Sequence, residues 1–270
     1  MKPFICFVHI EKAGGITLHN LLHRCFPGYI SPNPEIKFGE FFSQRDLKRL
    51  QRVLPYRLQG IGGHRMAAFN DYESVLDRPV FYFTFMRDPV KRYMSHINWQ
   101  TTIMGMEWDM ETFNKDPEKL DYHAYRIAGE RNLEKASQLI REKFNFVGLL
   151  ERYDESLLIM RQRMGLPDLD IRYEQANIMG KSHRKFSYSE QSDAVKAQIQ
   201  QNNAIDLELY RITKEELWPK YLEEYDGDLE ADLRAFRASN EGFQFPRLPY
   251  IKRKGTNFLM KRVIQPIISR

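Results

Sequence analysis

The sequence predicts an α/β protein in three layers, with helices flanking a central, mainly parallel sheet. Three observations predict it. Nearly unbroken apolar runs occur at residues 4–10, 79–86 and 144–150. They are short for helices and lack the alternation of a half-exposed strand, which is the pattern of strands buried on both faces. Helical periodicity follows these runs, and alternation of strand with helix builds a parallel sheet. The first two runs also pass straight into a turn, Glu11-Lys12-Ala13-Gly14-Gly15 in one case and Arg87-Asp88-Pro89 in the other.

Taken in order, the strand at 4–10 is broken by the glycine turn. Leu18, Leu21, Leu22 and Cys25 then fall at helical spacing, and Phe26-Pro27-Gly28 stops that helix. Residues 46–53 read as a helix and 58–62 as a short strand leading into Gly63-His64-Arg65. After the strand at 79–86, Pro89 suits a first helical turn, where its missing N–H costs nothing, and the helix runs over 90–100. Residues 104–145 are helical with loops. The strand at 144–150 precedes a helix over 154–164, a helical segment at 193–210 and a long charged one at 214–238. No internal repeat is present. Residues 1–240 form the expected domain and 241–270 a basic tail.

A chain of 270 residues with 42% hydrophobic and 29% charged content buries a sizeable core as one domain with appendages. No run approaches the apolar length that crosses a membrane, and residues 1–10 are too short and strand-like for a signal peptide, so the expected compartment is the cytoplasm. Two cysteines, Cys6 and Cys25, make no disulfide framework, and no Cys/His spacing resembles a zinc site. Cys6 reads as a small buried hydrophobe within a strand. A net charge of +5 favours anionic partners without naming the anion, and nucleic acid is not among those expected.

A glycine pair between a buried strand and a helix gathers backbone N–H groups and the positive helix end around one point, which binds anions without a metal. Lys12 and Thr17 add a cation and a hydroxyl there; a plain tight turn is the alternative. The ATP-binding pattern G-x-x-x-x-G-K-[ST] places its lysine after the glycines. Here Lys12 precedes Gly14 and Gly15, and apart from Asp88 no strand ends in an obvious metal-binding carboxylate. ATP chemistry is therefore disfavoured.

The segment His9-Ile10-Glu11-Lys12-Ala13-Gly14-Gly15-Ile16-Thr17-Leu18 resembles the 5′-phosphosulfate loop of the carbohydrate sulfotransferases that use 3′-phosphoadenosine 5′-phosphosulfate (PAPS), the group that includes the heparan and dermatan 2-O-sulfotransferases. Arg87-Asp88-Pro89-Val90-Lys91-Arg92-Tyr93-Met94-Ser95 is similar to their 3′-phosphate motif, with weaker likeness at 125–129 and 147–154. The resemblance implies a P-loop nucleotide-kinase-like fold and PAPS as co-substrate, with no metal. It implies that Lys12 stabilises the leaving phosphosulfate, that Ala13, Gly14, Gly15, Ile16, Thr17 and Leu18 cradle the 5′-phosphate, and that Arg87 and Ser95 hold the 3′-phosphate. Gly62-Gly63-His64 resembles the segment that supplies the family's catalytic histidine. An imidazole suits removal of a hydroxyl proton at neutral pH, so His64 is the expected base, against a histidine that only lines the pocket. Lys181 and Arg184 fall where the family closes a loop over the nucleotide. The chain departs from the family where Glu11 replaces proline and where Ala13 and Ile16 replace threonine.

Other residues carry plainer readings beside functional ones. His9 is expected in the core and His96 in packing behind Ser95. Glu151 could orient a base or cap the following helix. Arg126 could reach a phosphate or an acidic sugar, or make an ordinary surface contact. Trp99 could stack on adenine or pack into the core. The tail with Lys252, Arg253, Lys254, Lys261 and Arg262 reads as a solvated basic edge folded back on the domain, or as a weak membrane-surface contact. The expected function is transfer of a sulfuryl group to a hydroxyl of an acceptor, a carbohydrate. The alternatives are a P-loop phosphotransferase that uses ATP and Mg²⁺, and a non-catalytic module that binds anionic glycans or membrane.

Overall fold

The computed structural model describes residues 3–32, 40–54, 57–76, 78–174 and 185–246. Phe4–Val8 (β1), Tyr29–Ile30 (β2), Gly60–Gly63 (β3), Val80–Met86 (β4) and Phe146–Leu149 (β5) form a parallel sheet in the order β2-β3-β1-β4-β5. Around it run α1 (Gly15–Cys25), α2 (Gln44–Val53), α3 (Pro89–Thr102), α4 (Met110–Lys115), α5 (Tyr122–Ala128), α6 (Leu133–Glu142), α7 (Tyr153–Arg163), α8 (Asp193–Gln201), α9 (Ala204–Ile212), α10 (Trp218–Glu223) and α11 (Leu229–Asn240). This is the α/β, nucleotide-kinase-like arrangement of a central parallel sheet flanked by helices.

β1 is the centre of the sheet. Ile5 pairs with Gly60 of β3 on one side and Phe81 of β4 on the other. Phe4, Ile5, Cys6, Phe7 and Val8 are each buried, as are all seven residues of β4. Burial of that kind requires cover on both faces, and each large side chain so buried contributes about 1.5–3 kcal/mol. From β1 the chain leaves toward β2 at one edge of the sheet, and from β4 toward β5 at the other. A crevice opens above neighbouring strands whose connections part in this way.

The strands expected at 4–10, 79–86 and 144–150 are present with trimmed ends and the one at 58–62 is shifted to 60–63, whereas the two-residue β2 carries too little pattern to be read. Two long helical expectations are corrected. Residues 193–210 divide into α8 and α9 because Asn202 makes tertiary bonds: its Nδ2 donates to the Asn114 carbonyl at 2.8 Å, and its carbonyl accepts from Asp121 N–H at 2.8 Å. Residues 214–238 divide into a π-helical turn (Thr213–Leu217), α10 and α11. Asp228 starts α11 by accepting from the amides of Glu230 and Ala231, both at 3.0 Å.

α5 and α9 cap each other. Asp206 at the start of α9 accepts from the amides of His123 (2.8 Å) and Ala124 (2.9 Å), and Asp121 before α5 accepts from the amides of Ile205 (2.9 Å) and Asp206 (3.3 Å). Asp206 is fully buried, and burial pushes its carboxyl up to about 7 against the opposing pull of Arg92 and the two amides. His123, 3.8 Å from that carboxylate, is held neutral by burial and by Arg92, so the contact is not an ion pair. Beyond α11, Phe243 and Phe245 lie against the Arg24 guanidinium, at 4.8 and 5.9 Å from its carbon. The remainder of the basic tail, with Lys252, Arg253, Lys254, Lys261 and Arg262, lies outside the described residues. Among the described residues no helix is long and apolar enough to cross a membrane.

Asp206→Ala strands two buried amides, each costing about 1–3 kcal/mol unpaired. The expected outcome is a loss of about 2–4 kcal/mol in urea unfolding, against under about 1 kcal/mol for Glu208→Ala on the exposed face of the same helix.

Candidate active site

The turn after β1 is built by three conformational constraints. Gly14 takes a left-handed conformation (φ 81°), and so does Lys12 (φ 69°), a costly one for a residue with a Cβ. At Gly15 the reason is space, because a Cβ would lie 1.7 Å from His9 Nε2. Gly14 is the N-cap of α1 and offers no side chain to it. The first-turn amides of a helix have no intrahelical acceptors, so the turn presents donors and positive dipole at one point. Two residues expected in the cradle commit their amides within the turn: Ala13 N–H donates to the Ile10 carbonyl (3.4 Å) and Leu18 N–H to that of Gly14 (3.3 Å). Of the expected cradle, Gly14, Gly15, Ile16 and Thr17 remain beside these two, with Ile16 exposed at the mouth.

The turn after β4 closes on this one. Arg87 Nη1 donates to the Lys12 carbonyl at 3.2 Å. Asp88 caps α3 by accepting from the Lys91 amide at 2.9 Å, and its own N–H donates to Glu151 Oε1 at 3.0 Å. Glu151 also accepts from the Tyr210 hydroxyl at 2.8 Å. Glu151 thus holds the β4 turn in place; the N-terminus of α7 has no side-chain cap. On α3, Ser95 is partly exposed, one turn before Trp99 on the same face. Lys12 Nζ lies 5.1 Å from the centroid of the Trp99 ring. Lys12, Arg87 and the Ser95–Trp99 face of α3 are thereby brought to one wall. Burial, and then the Arg87 charge, hold the Lys12 ammonium down at about 8.

Across from Lys12 stands His64, just past β3. Its Nδ1 is 3.1 Å from the His9 carbonyl and 3.4 Å from Glu11 Oε1, and its ring lies 4.2 Å from that of His9. A proton on Nδ1 donated to the carbonyl leaves Nε2 with the lone pair, on a side chain 39% exposed. Arg126 on α5 holds the arrangement. It donates through Nε and Nη2 to the two oxygens of Glu11 (3.1 and 2.7 Å), through Nη1 to the His64 carbonyl (2.8 Å), and to the Tyr122 hydroxyl. Arg126 is therefore a buried clamp, neither a surface contact nor a ligand for an acidic sugar. Burial pushes the Glu11 carboxyl up, but His64, Arg126 and the Tyr122 hydroxyl outweigh it and hold it at about 2.

Glu11 and Tyr122 join the site without having been singled out as candidates. The signal for Glu11 was its place in the turn, where the resembling family has proline. His9 is a core histidine, as expected: its Nδ1 is 3.1 Å from His19 Nε2, and His19 Nδ1 is 2.8 Å from the Tyr29 hydroxyl and 3.1 Å from Ser31 Oγ. Burial, then the neighbouring His64, His19, Arg126 and Lys12 charges, hold His9 well below the usual histidine range. His96 packs behind Ser95 with its Nδ1 3.2 Å from Arg92 Nη1. Lys181 and Arg184 lie outside the described residues.

No protein-family model and no curated protein matches the chain. Among solved structures it is similar to a sulfotransferase from Alicyclobacillus acidocaldarius, at 15% identity and a TM-score of 0.42, over 78% of this chain and 99% of that one.

The close approach at Gly15 is testable without knowledge of the ligand. Gly15→Ala forces the His9 ring away and is expected to cost about 1–3 kcal/mol in denaturant unfolding, as overpacking does, while Ile16→Ala at the exposed neighbour changes stability by under about 0.5 kcal/mol.

Proposed function

We propose that this chain is a sulfotransferase that moves a sulfuryl group from PAPS to a hydroxyl of a carbohydrate acceptor. One observation carries the reading: Lys12 and Arg87 meet at the start of α1, which has no side-chain cap, and the partly exposed His64 ring, held through Nδ1, follows the neighbouring strand β3. The donor set fits a phosphate-rich nucleotide, since it combines an ammonium, a guanidinium, a hydroxyl and helix-terminal amides. The identity of donor and acceptor comes from the resemblance of 9–18, 62–64 and 87–95 to the PAPS-dependent carbohydrate sulfotransferases.

When bound, PAPS supplies a sulfuryl group whose bond to the phosphate oxygen breaks as the acceptor oxygen bonds to sulfur. The chain provides the surrounding groups. The Gly14, Gly15, Ile16 and Thr17 amides hold the 5′-phosphate, and the Lys12 ammonium stabilises the charge gathering on the departing oxygen. Arg87 and Ser95 hold the 3′-phosphate. His64 Nε2 accepts the proton of the acceptor hydroxyl, a contribution of about 10²–10⁴ in rate for a placed base.

Calorimetric titration of 3′,5′-phosphoadenosine in EDTA tests the donor site. Binding is expected without metal, weakened about 10- to 100-fold by Arg87→Ala and several-fold by Ser95→Ala, with AMP bound poorly. Binding of ATP that requires Mg²⁺ and equals or exceeds that of 3′,5′-phosphoadenosine would overturn the reading in favour of a phosphotransferase.

The Lys12 ammonium predicts an alkaline limit. Lys12 is charged below about 8 and neutral above it, so kcat/KM for the donor is expected to fall as pH rises through about 8. Lys12→Arg, whose charge does not titrate in that range, is expected to lose this limb. An unchanged limb in the arginine variant would assign it to another group.

A further inference from the structure

We infer that Glu11 is a positioning residue for the base, fixing the His64 ring through Nδ1 and stabilising the imidazolium that forms when Nε2 takes the acceptor proton. The inference rests on the sulfotransferase reading of the site.

The geometry separates two neighbouring side chains into opposite tasks. The left-handed conformation at Lys12 (φ 69°) turns the chain immediately after Glu11, so Lys12 Nζ reaches Trp99 while the Glu11 carboxylate reaches His64 and Arg126. The two oxygens of Glu11 are fixed by Arg126 Nη2 and Nε at 2.7 and 3.1 Å, a bidentate grip that removes the rotational freedom of the carboxylate. The same guanidinium holds the His64 backbone carbonyl at 2.8 Å, so the ring and the carboxylate beside it are located by one rigid group. Nδ1 faces both the His9 carbonyl at 3.1 Å and Glu11 Oε1 at 3.4 Å, two acceptors that favour a proton on that nitrogen. Among the described residues, the charged and titratable groups beside the ring are Glu11 from the β1 turn, His9 from the end of β1 and Arg126 from α5. Glu11 is the anionic member of this set, and it stands 18% exposed, where solvent screens it little.

Ground-state binding does not require this pair, so its effect belongs in turnover. The test follows 3′,5′-phosphoadenosine released from PAPS, with desulfated heparan and dermatan chains as acceptors and water as the background acceptor. Wild type, Glu11→Gln, Glu11→Asp, His64→Ala and the Glu11→Gln/His64→Ala double variant are compared. Glu11→Gln keeps the shape and is expected to lower kcat about 10- to 100-fold, a fraction of what a placed base contributes, with the Kd for 3′,5′-phosphoadenosine unchanged. Glu11→Asp keeps the charge and restores part of the rate. The double variant is expected to be no slower than His64→Ala, since a positioning residue has nothing to position once the ring is gone. Full kcat in Glu11→Gln, or losses that multiply in the double variant, would overturn the inference. Imidazole ¹⁵N NMR of the wild type supplies a readout free of any folding defect: His64 is expected as the Nδ1–H tautomer, and the Nε2–H form overturns the inference. If His64→Ala keeps full turnover while 3′,5′-phosphoadenosine still binds, the assignment of the base fails and Glu11 with it. Failure of 3′,5′-phosphoadenosine to bind the wild type marks the separate failure of the donor reading.

Discussion

β1 is hydrogen-bonded along both edges, to β3 and to β4, and buried on both faces, so the chain emerges from it only at the carboxyl end, into a place already crowded by its neighbours. That constraint shapes the whole candidate site. The next six residues must turn back toward a helix while leaving room for the His9 ring, and only glycine meets that need at 15. The turn so formed has no side chain to cap α1, and its donors face the crevice. On the proposed reading, the anion site is thus a by-product of a central strand followed by a tight exit.

Electrostatics then divides the crevice. Lys12 and Arg87 place two cations at the α1 end, close enough that the second lowers the pKa of the first, which is unfavourable in the empty protein and relieved by an anion. On the His64 side the charges are paired: Arg126 is matched by Glu11, and the carboxylate stays ionised although it is largely buried. On the proposed reading, one wall receives phosphate and the other carries out proton transfer. Adjacent residues of opposite charge, Glu11 and Lys12, mark the boundary, and the strained backbone at Lys12 keeps them apart.

Behind the site the helices are held by groups that also resist disorder. The reciprocal caps of α5 and α9 fix the helix that carries Arg126, and Glu151 with Tyr210 fixes the turn that carries Arg87. Both supports come from residues far along the chain. The second half of the protein thus places residues on the carboxyl edge of a sheet formed mainly by the first half.

The sequence by itself determined the local features: the long buried strands, the glycine turn, the proline-started α3, and the Lys12, Arg87 and His64 positions at strand ends. Each of these is encoded over a few residues, as an apolar run, a φ requirement or a stop signal. It did not carry β2, two residues long, nor the break at Asn202 and Asn203, whose cause is a hydrogen bond to Asn114 and another to Asp121. The break before α11 was written locally, in Asp226-Gly227-Asp228, but charge periodicity on either side masked it. Arg126, Glu151 and Glu11 looked like three separate charges, because the partners that define them lie 53–115 positions away in sequence. Only the tertiary structure decided their roles, since a charge acquires a role from what its burial forces it to pair with, and pairing across the sheet is a property of the packed chain.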